Sequence, residues 1–353
     1  MSERTGSRPE AYGHAPFLRP LAALSARMGR DLTQVQGPGG NTSLKHGGVL
    51  WVKASGTDLA DADRSCIFAP VDLEAALAAI GAEEECPVPV HDIPQAEGMR
   101  ASIEVSLHAL MPQRTVLHTH DVNVIAWACR ADAEQALAGP LDGLNWAFVP
   151  YARPGLKLTR RVRGILDQRT PDILILGNHG LVAGAETPEA AAQRVAAVRE
   201  RLALEPRPVP AADTARLARL AQGTDFAPAG LPEAHWTALD GTALRVASGG
   251  VLYPDHVVFL GAEVAVIPPE APERLQETEA ALAAVPGAGV LLRKGASRAA
   301  QAMAACLGLV ASRFPDDARP RYLDFADIPA LLGWDAERYR QEQARRRAAA
   351  MQG

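Results

Sequence analysis

Apolar and polar residues follow periodic patterns through the first half of the chain, and these patterns predict helices and strands in alternation. "FLRPLAALSARMG" has helical periodicity up to Gly29, whereas "NTSLKHGGVLWVKASG" predicts a β-hairpin with a glycine turn. In "SIEVSLHALMP", the residues Ile103, Leu107 and Leu110 predict the apolar face of a helix that Pro112 ends. This alternation predicts an α/β fold.

The next segments continue the same alternation. "RTVLHTHDVN" predicts a buried strand, "VNVIAWAC" a helix, and "DILIL" a second strand that runs into the turn "GNHG". "ETPEAAAQRVAAVRERL" predicts a helix with Thr187 as its N-cap and Pro188 in its first turn. The residues predicted to form its buried stripe are Ala191, Val195, Val198 and Leu202.

The composition changes after residue 205, and this change suggests three parts. Residues 15–205 would form one domain, residues 206–225 a linker rich in proline, and residues 226–345 a smaller C-terminal α/β region. In the last part, "ALRVASGGVLY" and "HVVFLGAEVAVIPP" predict hairpins, and "GVLLRKGASRAAQAMAACLGLV" predicts a strand, a turn and a helix. Short strands joined as hairpins favour an antiparallel or mixed sheet over a doubly wound one.

Length, charge and cysteine content narrow the class of protein. The 353 residues are enough for about two domains. A net charge of -5 argues against a nucleic-acid partner, and the basic "RYRQEQARRR" has the mixed charges of a solvated end helix. Four cysteines without a C-x-x-C pair are typical of free thiols in a reducing compartment. With no apolar leader and no run of 18 apolar residues, we expect a cytoplasmic protein without a membrane partner.

Two histidines stand one residue apart in the strand predicted from "RTVLHTHDVN". Residues two apart on a strand point to the same face, so His118 and His120 converge on one side of the sheet. Neutral imidazoles are good ligands for divalent transition metals, although two polar side chains at a hydrated strand end would give the same pattern. The pair is therefore a candidate metal site.

A catalytic metal site of this kind needs a third protein ligand and one open position. His179 is the best candidate, because it follows an apolar strand and lies between glycines in "LILGNHGLV". Glu104 and His108 are four residues apart and share one face of the predicted helix. They could support the ligands, form a surface pair or be ligands themselves. A carboxylate near a metal could also transfer protons.

A glycine-rich segment, "QGPGGNTSLK", followed by "VKASGTDL", is a candidate anion-binding loop. It is neither a Walker A loop nor a dinucleotide fingerprint, and glycine-rich turns often have no ligand at all. Backbone N–H groups, small polar side chains and a lysine would bind an anion here. The candidate polar and charged groups are Asn41, Thr42, Ser43, Ser55, Thr57, Lys45 and Lys53.

Taken together, these segments resemble a known family. "GPGGNTSLK", "KASGTDL", "SIEVSLH", "VLHTHDVNVIAWA" and "LGNHGLVAGAETPEAA" are similar, in order and spacing, to the class II aldolase/adducin head domain over about residues 20–205. "PYARPGLKL" and the short gap between Glu104 and His118 look most like the aldolase half of bifunctional rhamnulose-1-phosphate aldolase/alcohol dehydrogenases. The resemblance implies a three-layer α/β/α fold on a mostly antiparallel sheet, and a homo-oligomer, often a tetramer.

The resemblance also implies roles for individual residues. It makes His118, His120 and His179 the ligands of Zn²⁺ or another divalent transition metal, and it makes Glu104 the catalytic acid/base. A second base is not identified by the motifs, and Tyr151 is a candidate. The residues expected to hold a substrate phosphate or its equivalent are Gly40, Asn41, Ser55, Gly56 and Ser102.

Two departures from the family pattern concern the substrate. Ile103 stands between Ser102 and Glu104 where many family aldolases have a second serine, and Lys45 stands where arginine is frequent. Both leave the metal chemistry intact but weaken the case for a phosphorylated substrate.

The implied function is a zinc-dependent aldolase of carbohydrate catabolism, cleaving a ketose phosphate or related sugar through a metal-stabilised enediolate. A sugar-phosphate 4-epimerase or a decarboxylase would use the same metal site. A different class, the non-catalytic adducin-like interaction module, would not need three histidines and a glutamate in register. A closed structural zinc site is disfavoured because no cysteine lies near the histidine pair.

Overall fold

The structure is a computed structural model that describes residues 15–82, residue 96 and residues 98–332. The basic C-terminal segment predicted to be a helix, residues 338–347, lies outside the described residues, as do Cys86 and the first 14 residues. The three described cysteines, Cys66, Cys129 and Cys306, are free thiols, as expected.

The first part of the chain is built on a seven-stranded sheet with the strand order β3-β2-β1-β4-β7-β6-β5. Every neighbouring pair is antiparallel except β5 and β6, which are parallel. The strands are β1 (Asn41–His46), β2 (Val49–Lys53), β3 (Phe68–Asp72), β4 (Thr115–Thr119), β5 (Trp146–Val149), β6 (Ile173–Leu176) and β7 (Gly180–Ala185).

Helices cover both faces of this sheet. One face buries Leu117 and Ile175 beneath α1, α4, α5 and α7. The opposite face buries Val116 and Leu174 beneath α3 and α6, while α2 packs beside α3. The helices are α1 (Arg19–Gly29), α2 (Leu73–Gly81), α3 (Val105–Leu110), α4 (Val122–Ala128), α5 (Ala133–Ala138), α6 (Leu156–Leu166) and α7 (Pro188–Arg201). The expected three-layer α/β/α arrangement on a mostly antiparallel sheet is confirmed.

Local sequence signals account for several of these elements. The side chain of Thr187 accepts a hydrogen bond from the backbone N–H of Ala190, and Pro188 occupies the first turn of α7. The glycine turn between β1 and β2 closes the predicted hairpin. One prediction is wrong in detail: α3 begins at Val105, so Ile103 does not belong to its apolar stripe. Ile103 instead lines the pocket described below.

The C-terminal region has a smaller sheet of four strands in the order β8-β11-β10-β9. Its strands are β8 (Phe226–Pro228), β9 (Val264–Val266), β10 (Leu282–Val285) and β11 (Gly289–Arg293). Its helices are α8 (Thr214–Leu220), α9 (Trp236–Leu239), α10 (Gly241–Ser248), α11 (Pro254–Leu260), α12 (Arg274–Glu277), α13 (Arg298–Ala311) and α14 (Asp327–Leu332).

Two predicted hairpins in this region are not formed, because the first strand of each is a helix instead, although Val264–Val266 of the second segment is the strand β9. "ALRVAS" lies in α10, whose N-cap Asp240 accepts a hydrogen bond from the backbone of Ala243. "HVVFL" lies in α11, which has Pro254 in its first turn. The β-branched valines favour strands locally, but the caps and tertiary packing decide for helix. The segment 206–225 also carries α8, whose Leu217 is fully buried.

Helix α4 joins the two parts of the chain. Its residues Val124 and Ala128 belong to the core of the larger sheet. On its other side, Val122, Ile125 and Cys129 pack in one apolar cluster with α10 and α13 of the C-terminal region. The C-terminal region thus packs against α4, the helix that directly follows β4 in the segment "LHTHDVN". Among the described residues, no helix is long and apolar enough to cross a membrane.

Candidate metal centre and active site

Strand β4 brings His118 and His120 to one side of the larger sheet. His118 is a strand residue paired with Asn41 of β1 and Val182 of β7, and His120 follows one residue after the strand ends. Both side chains are buried, and their Nε2 atoms lie 3.1 Å apart. The same-face arrangement expected from their spacing is what the structure has.

His179 reaches the pair from the turn between β6 and β7. A side chain at the next residue, Gly180, would place its Cβ only 2.3 Å from the carbonyl oxygen of Thr119, so only glycine fits this crossing. The close approach brings the turn against the end of β4. One ring nitrogen from each of His118, His120 and His179 lies within 4.8 Å of the others, and all three side chains are buried.

This donor set fits a divalent transition metal. Tetrahedral zinc with bonds of about 2.0–2.1 Å needs ligand nitrogens about 3.3 Å apart, and the separation of the Nε2 atoms of His118 and His120 is close to that. The Nδ1 of His118 lies 3.0 Å from the carbonyl oxygen of Leu181, which leaves its Nε2 as the metal-facing atom. Burial lowers the pKa of His118, and it lowers that of His179 to about 3, so both imidazoles are neutral at neutral pH.

Glu104 lies beside this histidine triad, immediately before α3. Its Oε1 is 3.5 Å from Nε2 of His118 and 3.4 Å from Nε2 of His179. Burial by itself raises the pKa of this carboxyl, but the attraction of positive charge on the neighbouring histidines outweighs it and lowers the pKa to about 2.

His108, which shares the helical face of Glu104, is not part of the triad. Its Nδ1 lies 2.7 Å from the hydroxyl of Ser43, and burial lowers the pKa of the ring to about 3. His108 thus sits below Glu104 as a neutral, buried group that packs α3 onto β1. Of these two residues, Glu104 lies against the histidine triad and His108 does not.

A pocket opens above the triad, and Glu104, His120 and His179 contribute to its lining. The structure brings all five predicted anion-binding residues to its wall. These residues are Gly40, Asn41, Ser55, Gly56 and Ser102. The side chain of Ile103 lies at the same wall, where a second serine would have added a hydroxyl.

The two candidate lysines are separated by the structure. Lys53 is buried at the pocket wall, with its Nζ 2.6 Å from the carbonyl oxygen of Pro38. Lys45 does not line the pocket, and its Nζ is bonded to the backbone carbonyls of Met111 and Gln113. Lys53 is therefore the lysine that can contribute positive charge to a bound anion.

Tyr151 is not brought to the triad. Its side chain lines a separate cavity beside Arg153 and Arg321, and its hydroxyl is buried without a hydrogen-bond partner among the described residues. Burial raises the pKa of this hydroxyl above its usual value. The position gives no support for a proton transfer by Tyr151 in the pocket above the histidines.

The sequence patterns missed one polar residue of the pocket. Asp255, in the first turn of α11, is 6% exposed, and its Oδ2 lies 3.1 Å from Nδ1 of His120. Its neighbours Pro254 and Val258 also line the pocket. No local motif marks Asp255, because its importance depends on how the C-terminal region packs against α4. Pro254 would have indicated that a helix begins there, but not that this helix lies at the pocket.

Comparisons with known proteins show the family of the first part of the chain. Residues 19–205 match the Class II Aldolase and Adducin N-terminal domain family. The chain is 30% identical over 212 residues to the uncharacterized oxidoreductase YuxG of Bacillus subtilis (strain 168), a match that covers 56% of this chain and 30% of YuxG. The chain thus spans less than a third of that relative's length.

Solved structures of class II aldolases are similar to about half of the chain. One is the N-terminal class II aldolase domain of a conserved protein from Thermoplasma acidophilum, with 26% identity, a TM-score of 0.45 and coverage of 57% of this chain and 97% of that one. Another is an L-fuculose-1-phosphate aldolase from Thermus thermophilus, with 17% identity, a TM-score of 0.36 and coverage of 52% and 92%. On the match to more than half of its length, the chain belongs to the class II aldolase and adducin N-terminal domain family.

Proposed function

We propose that the chain is a metal-dependent aldolase that cleaves a ketose phosphate or a related sugar. The observation that carries this proposal is the placement of the Glu104 carboxylate within 3.5 Å of two of the three buried histidines of the triad. A carboxylate beside a candidate metal site, in the wall of a pocket with candidate anion-binding groups, supports carbon–carbon cleavage next to a carbonyl.

His118, His120 and His179 would hold the divalent cation. When bound, such a cation supplies a Lewis acid that polarises a carbonyl and stabilises the negative charge released on cleavage. The chain's part is to keep the three rings neutral, buried and aimed at one point, which burial and the Leu181 carbonyl support.

Glu104 would carry the proton to the carbon of the retained fragment, and would remove it in the synthetic direction. Nδ2 of Asn41 donates a 2.6 Å hydrogen bond to Oε2 of Glu104, which holds the carboxylate plane and leaves Oε1 toward the histidines. Fixed orientation of this kind is what a proton-transfer group needs, because the distance to the carbon decides the rate.

The far end of the pocket would hold the anionic part of the substrate. Ser55 and Ser102 offer hydroxyls there, Gly56 offers a backbone N–H group, and buried Lys53 offers a positive charge. Ile103 reduces the number of hydroxyl donors, so a phosphate would have fewer contacts than the family pattern provides. We therefore include unphosphorylated and carboxylated keto-sugars among the proposed substrates.

Aldol cleavage across ketose 1-phosphates and unphosphorylated keto-sugars tests the proposal. Ribulose 5-phosphate is included to detect epimerisation, and release of carbon dioxide is followed to detect decarboxylation. We expect metal-dependent release of an aldehyde that disappears in the Glu104→Gln variant. Epimerisation or decarboxylation alone would reassign the reaction while keeping the metal site. A zinc-loaded chain that transforms none of these compounds would contradict an enzymatic role and favour an adducin-like interaction module.

We also propose a homo-oligomer, as the family resemblance implies. Light scattering coupled to size-exclusion chromatography measures the molar mass directly, and a mass of one 37.4 kDa chain would contradict this proposal.

A further inference from the structure

The C-terminal region reaches into the pocket above the histidine triad. Helix α11 begins at the pocket wall, and its first turn places Pro254 and Asp255 there, with Leu331 of α14 beside them. Asp255 is 6% exposed, and its Oδ2 lies 3.1 Å from Nδ1 of His120. A carboxylate from outside the family-matched residues 19–205 is thus in contact with a candidate metal ligand.

The two nitrogens of His120 face different groups. Nε2 faces His118, at 3.1 Å from its Nε2, and Nδ1 faces Asp255. If Nε2 is the metal ligand, Nδ1 carries the ring proton, and an acceptor at Nδ1 fixes both the tautomer and the ring orientation. His118 also has an acceptor at Nδ1, the carbonyl oxygen of Leu181 at 3.0 Å. The Asp255 carboxylate lies at a similar distance from Nδ1 of His120, although that contact does not meet hydrogen-bond geometry.

We propose that Asp255 is a positioning residue for the metal centre: it accepts the Nδ1 proton of His120 and thereby strengthens binding of a divalent cation at the triad. The C-terminal region is then a working part of the active site. This inference rests on the metal site of the proposed function but not on the identity of the sugar or of the reaction.

The packing around the pair supports this role. A Cβ at Gly39 would lie 2.8 Å from Nδ1 of His120 and 3.0 Å from Oδ2 of Asp255. The glycine-rich loop therefore passes directly over the contact, and any side chain at this position would push the two groups apart. Gly39 thus leaves the space that the Asp255 carboxylate needs to approach the ring of His120.

A second contact ties the same C-terminal segment to His179. Asn178, which precedes this ligand, has a positive φ of 54°, a conformation that costs energy for a residue other than glycine. Its Nδ2 donates hydrogen bonds to the carbonyl oxygens of Leu252, at 2.9 Å, and Arg321, at 2.6 Å. Two segments of the C-terminal region therefore hold the turn of one candidate ligand, while Asp255 contacts the ring of another.

The test measures metal affinity in the full chain, independently of turnover. Apo-protein is titrated with Zn²⁺ against a chromophoric chelator, and with Co²⁺ to record the absorption bands that report ligand geometry. We expect Asp255→Ala to weaken Zn²⁺ binding by about 10- to 100-fold, the effect typical of losing a carboxylate partner of a metal-bound histidine. Asp255→Asn, whose amide oxygen can still accept the Nδ1 proton, should recover a large part of that loss.

Asp213→Ala is the matched control, because Asp213 caps α8 of the C-terminal region without lining the pocket. It should lower the thermal midpoint but leave the Zn²⁺ affinity and the Co²⁺ bands unchanged. An Asp255→Ala affinity within a factor of two of the unmodified chain would overturn the proposal, as would an equal loss in Asp213→Ala. A chain that binds no divalent ion would overturn both this proposal and the metal-dependent function. A chain that binds zinc but cleaves no sugar would overturn the aldolase alone and leave the affinity comparison decisive.

Discussion

The side-chain amide of Asn41 donates a hydrogen bond to the carboxylate of Glu104, with Nδ2 and Oε2 2.6 Å apart, and so links the start of β1 to the start of α3. Asn41 also pairs in register with His118 on the neighbouring strand. Asn41 thus connects Glu104, the proposed proton carrier, to β4, the strand that carries the candidate metal ligand His118. Each variant of the site must therefore be assayed for both turnover and metal binding.

Replacing Glu104 with glutamine tests its proposed role in proton transfer. The amide keeps the size and hydrogen-bonding capacity of the side chain but cannot carry a proton, so we expect turnover to fall by about 10²–10⁴-fold. Zinc content and the thermal midpoint should stay close to those of the unmodified chain. If this variant loses its zinc while the three histidines are intact, Glu104 is a ligand, and its assignment as the acid/base is wrong.

The metal prediction is one divalent ion per chain, bound by His118, His120 and His179. Replacing any one of them with alanine should reduce the metal content well below one per chain, because only two of the three protein ligands would remain. His46→Ala is the matched control, since His46 is exposed and stacks on Phe17 far along β1. Elemental analysis after purification without added metal gives the stoichiometry.

Removing the metal should also change stability. A ligand that binds only the folded state adds about 2.7 kcal/mol to the free energy of unfolding when its concentration is 100 times its dissociation constant. We expect chelated protein to unfold at lower urea concentration and zinc to reverse the change. A fully active chain without metal, or a urea midpoint insensitive to zinc, would be incompatible with the proposed site.

The charge at the anion end of the pocket is tested by Lys53→Met. Methionine keeps most of the buried stem and removes the ammonium group, so we expect KM for an anionic substrate to rise by about 10-fold or more, the usual worth of a charged hydrogen bond. KM for a neutral keto-sugar should change much less. Lys45→Met is the control, because Lys45 is bonded to backbone carbonyls away from the pocket. Equal effects on charged and neutral substrates would mean that Lys53 serves the fold.

The sequence was sufficient for the parts of the site that lie on regular elements. The same-face placement of His118 and His120 follows from the two-residue period of a strand, and the strand that leads to His179 follows from its continuous apolar run. The N-cap at Thr187 likewise marks the start of α7 through chemistry that is local to the chain. In these cases the neighbouring residues alone decide the geometry.

Features that depend on tertiary packing could not be predicted in this way. Lys45 and Lys53 look equivalent along the chain, but strand pairing separates them. Lys53 ends β2 near the start of β1 and lines the pocket, whereas Lys45 lies further along β1 and is bonded to backbone carbonyls away from it. Asp255 lies just before a segment whose valines suggested a strand, and its contact with His120 exists only because the C-terminal region packs on α4. An alternating pattern shows which side chains share one face of a strand, but not which residues pack against that face.

His256, next to Asp255 in α11, should make the stability of the chain depend on pH. Its ring is buried, its Nδ1 accepts a 3.3 Å hydrogen bond from the backbone N–H of Leu252, and burial lowers its pKa to about 4. The ordinary pKa of histidine is 6.5, so the unfolded chain binds more protons than the folded chain between about pH 6.5 and pH 4. The free energy of unfolding must therefore fall as the pH falls through this window, and the full stability is present above it.

Asparagine at position 256 isolates this contribution, because its Oδ1 can accept the same backbone hydrogen bond but does not titrate. Between about pH 7.5 and pH 5.5, the ring should account for about 1 kcal/mol of lost stability in the unmodified chain, from the linkage between pKa and folding. Urea unfolding of both chains at the two pH values, in the same metal-free buffer, measures it. Protonation of the triad histidines affects both chains alike and cancels in the difference between them. If the two chains lose the same stability between these pH values, His256 is charged or solvated in the folded state. Helix α11 would then be packed less tightly against the pocket than its buried side chains indicate.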